Sequence, residues 1–159
     1  MKRVTEIVGK KVVTTENGER LGRVNDVLLD TASARLVGLV VSRHWFTDEE
    51  VLPFARVQTF GPAAVLVDSA SSLVGAEAWD RRKLGAIRCS RLNGKEVVTA
   101  TGSRLGILTD LVIDERTGCV NEVEVGDNAT GMLKQWSRIP CSQDVRIGRD
   151  AVVVPTGGG

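Results

Sequence analysis

Gly9-Lys10-Lys11-Val12-Val13-Thr14, followed by Arg20-Leu21-Gly22 and then by Asp26 and Asp30, occurs a second time as Gly94-Lys95-Glu96-Val97-Val98-Thr99, Arg104-Leu105-Gly106, Asp110 and Asp114. The spacing is kept except for one residue lost in the turn after the first strand of the second copy. The correspondence resumes with Leu52-Pro53 against Ile139-Pro140, and with the run 61–67 against the run 148–154. A repeat that keeps its order over most of each half implies two copies of one structural unit.

The chain has 159 residues, so each copy of roughly 70 residues is near the lower limit for a core of its own. The units are therefore expected to lean on each other or on a partner. Aromatics make up 4% and Tyr is absent, which leaves Val, Leu and Ile to build the core. A net charge of +1 favours neither nucleic acid nor membrane in bulk. No apolar run reaches the ~18 residues of a membrane span, so no membrane insertion is expected. Met1 to Lys10 lacks the apolar stretch of a secretion signal. Cys89, Cys119 and Cys141 are odd in number and confined to the second copy, unlike a disulfide framework. Together these features place the chain in the cytoplasm.

Lys11 to Thr15 is a short β-branched strand, and Asn17-Gly18 marks a hairpin turn. The return strand, Leu21 to Asp30, has a slip in its alternation: Val24 and Val27 are three apart. Leu108 and Leu111 repeat that slip, which predicts a β-bulge near Asp26 and Asp110. On the next strand, Leu36 to Val41, strict alternation puts Val37, Leu39 and Val41 on one face and Leu36, Gly38 and Val40 on the other. The second copy has Glu122 and Glu124 where the first has Gly38 and Val40. An uncharged outer face at Val40 is expected to be covered, by the other unit or by a partner. Val51 to Pro53, Phe54 to Phe60 and Ala64 to Asp68 read as the closing strands. Ala76 to Leu84 reads as a short helix with its acids first and its bases last. The resulting division is 1–69, a linker over 70–88, and 89–159.

Chemistry-bearing groups do not converge in this pattern. His44 is the sole histidine and has no counterpart in the second copy. Asp26 and Asp30 are four apart on a strand, about 13 Å, too far to share one ion; the expected roles are backbone hydrogen bonds at Asp26 and Asp110, and opening of the next turn at Asp30 and Asp114. The cysteines lack zinc-ligand spacing and read as small core residues. Gly22 and Gly106 are expected at close chain approaches or bulges. No catalytic, metal or cofactor residue is assigned, and no enzyme activity is expected. Apolar anchors for a protein partner are expected at Trp45 and Phe46, at Met132, Leu133 and Trp136 in the matching loop, and at Val40. Arg81, Arg82, Lys83, Arg88, Arg91 and Lys95 are six basic residues with no acidic one among them, a stretch that could contact RNA.

The pattern Gly-Lys-x-Val-Val-Thr, turn, Leu-Gly-x-Val-x-Asp-Val-Leu-Leu-Asp, turn, Leu-Val-Gly-Leu-Val-Val, then Leu-Pro-Phe resembles the PRC-barrel family over residues 6–68 and, more loosely, 91–155. The resemblance implies an all-β chain of two tandem, six-stranded β-barrels joined by a short helical linker. The family includes the cytoplasmic domain of the photosynthetic reaction-centre H subunit and the C-terminal domain of a ribosome maturation factor, but it transfers no catalytic motif. The function expected is that of an interaction or adaptor module for a protein partner. The alternatives are a ribosome or RNA accessory protein using the basic stretch and, further off, a photosynthetic reaction-centre-like or electron-transport accessory or a small-molecule binder; a homo-oligomer is left open as a partner. The sequence leaves open whether the copies form separate barrels or exchange strands.

Overall fold

The computed structural model describes residues 1–43, 49–82, 86–126, 137–141 and 145–155. The order is β1 (Lys2–Arg3), α1 (Val4–Ile7), β2 (Lys11–Thr14), β3 (Arg20–Asp30), β4 (Arg35–Ser42), β5 (Glu50–Pro53), β6 (Val57–Phe60), β7 (Ala64–Val67), β8 (Val74–Gly75) and α2 (Ala76–Arg82). It continues with β9 (Ala86–Arg88), β10 (Glu96–Thr99), β11 (Arg104–Ile113), β12 (Val120–Gly126), β13 (Ser137–Pro140), β14 (Arg146–Ile147) and β15 (Ala151–Val154). Phe54–Arg56, expected as strand, is a single 3-10 turn between β5 and β6.

Each copy supplies six strands to a barrel-like half, ordered β6-β7-β2-β3-β4-β5 in the first and β13-β12-β11-β10-β15-β14 in the second. In both, the first strand pairs in parallel with the last, Lys11 beside Ala64 and Glu96 beside Ala151. Val12, Val65, Val97 and Val152 are fully buried there.

Gly22 and Gly106 have φ of 154° and 156°. A Cβ at either would lie 2.4 Å from a backbone carbonyl oxygen, that of Ser42 or of Gly126. Only glycine lets β3 and β11 pass so close to the ends of β4 and β12.

The bulges stand where the slipped alternation places them. Register shifts between Val24 and Asp26 against β4, and between Leu108 and Asp110 against β12. A second shift in each pair was not expected. Leu28 pairs with Gly38 and Leu29 with Leu36, so Val37 is skipped; Val112 pairs with Glu122 and Ile113 with Val120, so Asn121 is skipped. One extra residue turns the strand over. Leu36 therefore joins Leu39 and Val41 in the core instead of facing outward with Val40, and Val120 joins Val123 and Val125. Val37 packs beside Val40 instead.

The two copies exchange strands. β1 lies on β11 of the second copy, Lys2 opposite Ile113 and Arg3 opposite Val112. β9, its counterpart, lies on β3 of the first copy, Ile87 opposite Leu29 and Arg88 opposite Leu28. The turns that follow, Val4–Ile7 and Cys89–Arg91, are also counterparts. At another point the halves meet directly. Leu36 N–H donates to Gly118 O at 2.7 Å and Val120 N–H to Ala34 O at 3.0 Å, around a bridge between Arg35 and Cys119. Every one of these contacts has a mirror image under exchange of the copies, so the chain is built on an internal two-fold. One apolar cluster runs through both halves, and it includes Val4, Ile7, Cys89 and Leu92 of the exchanged arms.

The segment joining the copies is part of the first sheet. β8 pairs with β5, and α2 follows immediately. Trp79 of α2, 5% exposed, closes a second cluster with Leu28, Val40 and Val51.

Candidate functional site

The bulges and the arms meet at the two-fold. A bulge leaves one strand amide without a ladder partner, and the carboxylate beside it can accept that N–H. Val27 N–H donates to Asp26 Oδ1 at 2.8 Å, and Leu111 N–H to Asp110 Oδ1 at 2.8 Å. The second oxygen of each reaches the other copy's arm. Ser90 Oγ–H donates to Asp26 Oδ2 at 2.5 Å, with Ser90 N–H on Oδ1 at 3.2 Å, and Thr5 Oγ1–H donates to Asp110 Oδ2 at 2.6 Å. The expected backbone role of these two carboxylates is present. The link between copies was missed, because the hydroxyls precede the motif that defines the repeat. Asp30 and Asp114 accept from Ala32 N–H and Arg116 N–H, opening the turns as expected.

A cavity of about 240 Å³ lies between the arms, walled by Val4, Val8, Leu108 and Leu111 with both carboxylates at its side. Cys89 borders it, and burial, then the charges of Asp26 and Asp110, push its thiol well above the usual range. A thiol held protonated is a poor nucleophile. The polar groups here hold the arms in place, and each carboxylate is already hydrogen-bonded. Ser90→Ala and Thr5→Val are each expected to cost about 1–2 kcal/mol, because each removes a hydroxyl donor from a buried charged acceptor. Denaturant unfolding of the full chain measures this.

Each arm also carries an arginine into an ion pair. Arg3 Nε lies 2.7 Å from Glu124 Oε1, and Arg88 pairs with Glu49. Asn25 Nδ2 also donates to Glu49, at 2.5 Å. The Arg88 bond, then that of Asn25, holds the Glu49 carboxyl below its ordinary value of 4.5. A lowered carboxyl contributes stability above its unfolded value and loses it as pH falls through the folded one. Acidification from pH 5 to 3 should therefore weaken docking of β9, and Glu49→Gln should flatten that part of the stability profile. An unchanged profile in the variant would remove Glu49 from the account.

Among the residues expected to meet a partner, Val40 is 2% exposed and packs under Trp79. Its cover is neither the other barrel nor an outside molecule but the chain's own linker helix. The equivalent place in the second copy is polar. Glu124 there takes Arg3 and also Arg138 Nε at 3.2 Å, and Arg138 lies 3.8 Å from Glu122. Trp45, Phe46, Met132, Leu133 and Trp136 lie outside the described residues, as do His44 and Lys83. Arg81 and Arg82 end α2. Arg88 is committed to Glu49, while Arg91 is exposed and Lys95 half-buried. Cys119 and Cys141 are half-buried, and Cys141 packs against the core from its margin. Among the described residues no helix is long and apolar enough to cross a membrane.

A family model described as the PRC-barrel domain matches residues 1–74 and again residues 84–159. No curated protein matches the chain.

Proposed function

Because the chain belongs to the PRC-barrel domain family, with two copies in tandem, we propose that it works as a non-enzymatic interaction module for a protein partner in the cytoplasm. The observation that supports this reading is the way each half holds a segment of the other. It adds the segment as a strand, pairs its arginine with a carboxylate and bonds its hydroxyl to a buried aspartate. Strand addition combined with side-chain readout is a general mode of peptide recognition. Trp45 and Phe46, with Met132, Leu133 and Trp136, are the apolar anchors that the sequence offers to the partner.

The test is capture of partners by the tagged full chain from lysate of its own organism, with and without nuclease. A protein retained after nuclease, and lost with Trp45→Ala or Trp136→Ala, supports the module. Ribosomal proteins lost on nuclease treatment, and lost again on charge reversal at Arg81, Arg82 and Arg91, would replace it with an RNA-linked role whose affinity falls steeply with salt.

A further inference from the structure

We infer that each half carries a groove that reads one five-residue pattern, Arg–apolar–Ser/Thr–any–Ile/Leu, and that the two arms are interchangeable ligands of these grooves. The inference names the peptide class for the interaction module proposed above and rests on that reading for any partner outside the chain.

The two arms are Arg3-Val4-Thr5-Glu6-Ile7 and Arg88-Cys89-Ser90-Arg91-Leu92. The first position enters the same register on both halves, Arg3 opposite Val112 and Arg88 opposite Leu28. Each arginine finds a carboxylate, Glu124 or Glu49. The second position, Val4 or Cys89, is buried in the shared core. The third gives its hydroxyl to the bulge aspartate. The fourth is exposed and carries opposite charges in the two arms, Glu6 and Arg91, so the groove does not read it. The fifth, Ile7 or Leu92, is 1% exposed and fills the core. Four positions are thus specified twice: the second, third and fifth by equivalent surroundings on the two halves, and the first by a carboxylate that comes from a different place in each, Glu124 on β12 and Glu49 ahead of β5. The one free position is the one where the arms differ in charge.

The test is made in the full chain. One chimera gives the first arm the second arm's residues (V4C/T5S/E6R/I7L), and the other does the reverse (C89V/S90T/R91E/L92I). A control, V4T/T5V, keeps composition and inverts the order of apolar and hydroxyl groups. Both chimeras should melt within about 5 °C of the parent, and the control should fall by about 10 °C or more. Chimeras that melt as low as the control overturn the inference. As a second measurement, a peptide of residues 86–94 is titrated into a chain whose first arm is undocked by R3E/T5V/I7D. Saturable binding is expected, weakened at least tenfold by the S90A change in the peptide, and equal binding of the two peptides overturns the hydroxyl readout. Interchangeable arms with no partner captured from lysate would sink the module and leave the groove; a captured partner with failed chimeras would do the opposite.

Discussion

Gly22→Ala is expected to lose about 2–6 kcal/mol of stability, and Gly106→Ala a similar amount. Two costs combine. A φ near 155° is a region that residues with a Cβ avoid, at about 1–3 kcal/mol. The added Cβ also sits 2.4 Å from Ser42 O or Gly126 O, and at Gly106 it meets Val125 Cγ1 at 2.9 Å. Backbone cannot step aside as a flexible side chain does, so β3 must move off β4, at a further cost of about 1–3 kcal/mol. Urea unfolding of each single variant measures the loss. A change below about 1 kcal/mol would mean that the long strands do not need this close approach.

Val40→Glu should cost about 3–5 kcal/mol, the scale of a buried charge left without its partner. Val40 is sealed under Trp79 with Leu28 and Val51 around it, and the nearby Arg88 is already bound to Glu49. The second copy holds the same substitution naturally. Glu124 occupies the equivalent place and pairs with Arg3 and Arg138. Arg138 stands opposite Glu124 as Val51 stands opposite Val40. The double variant Val40→Glu/Val51→Arg should therefore recover part of the loss. A single variant as stable as the parent would show that α2 does not seal this face.

Much of the fold could be read from the residues, because the repeat isolates what both copies need. The slip from Val24 to Val27, shared by Leu108 and Leu111, locates the first bulge. The second bulge escaped because Leu36 to Val41 is apolar throughout, and an all-apolar strand shows no alternation to break. Its signal exists in the second copy: Val120, Val123 and Val125 are three apart and then two apart. The cover of Val40 was misassigned for a related reason. Trp79 stands among charged residues, Asp80, Arg81 and Arg82, that read as a solvated helix end, whereas its side chain packs on the first sheet. Strand exchange was not legible at all. An arm closing on its own unit and an arm closing on the other would make the same local contacts, so the sequence around Thr5 or Ser90 cannot tell them apart. The basic residues from Arg81 to Lys95 were grouped because charge was counted along the chain. Part of that stretch, Ala86–Arg91, is a strand and a turn, in which Arg88 is bound to Glu49.

The exchanged arms also set an order of events during synthesis. Thr5 reaches its aspartate only after 105 further positions have been made, and Asp26 waits 64 positions for Ser90. Domains generally fold as units in the order in which they emerge. Here the first half cannot complete its sheet before the start of the second half has appeared, and its own leading segment must stay undocked until β11 exists. The long-range pairing of β1 with β11 closes a long loop and meets its entropy cost, so it is the expected slow step of folding.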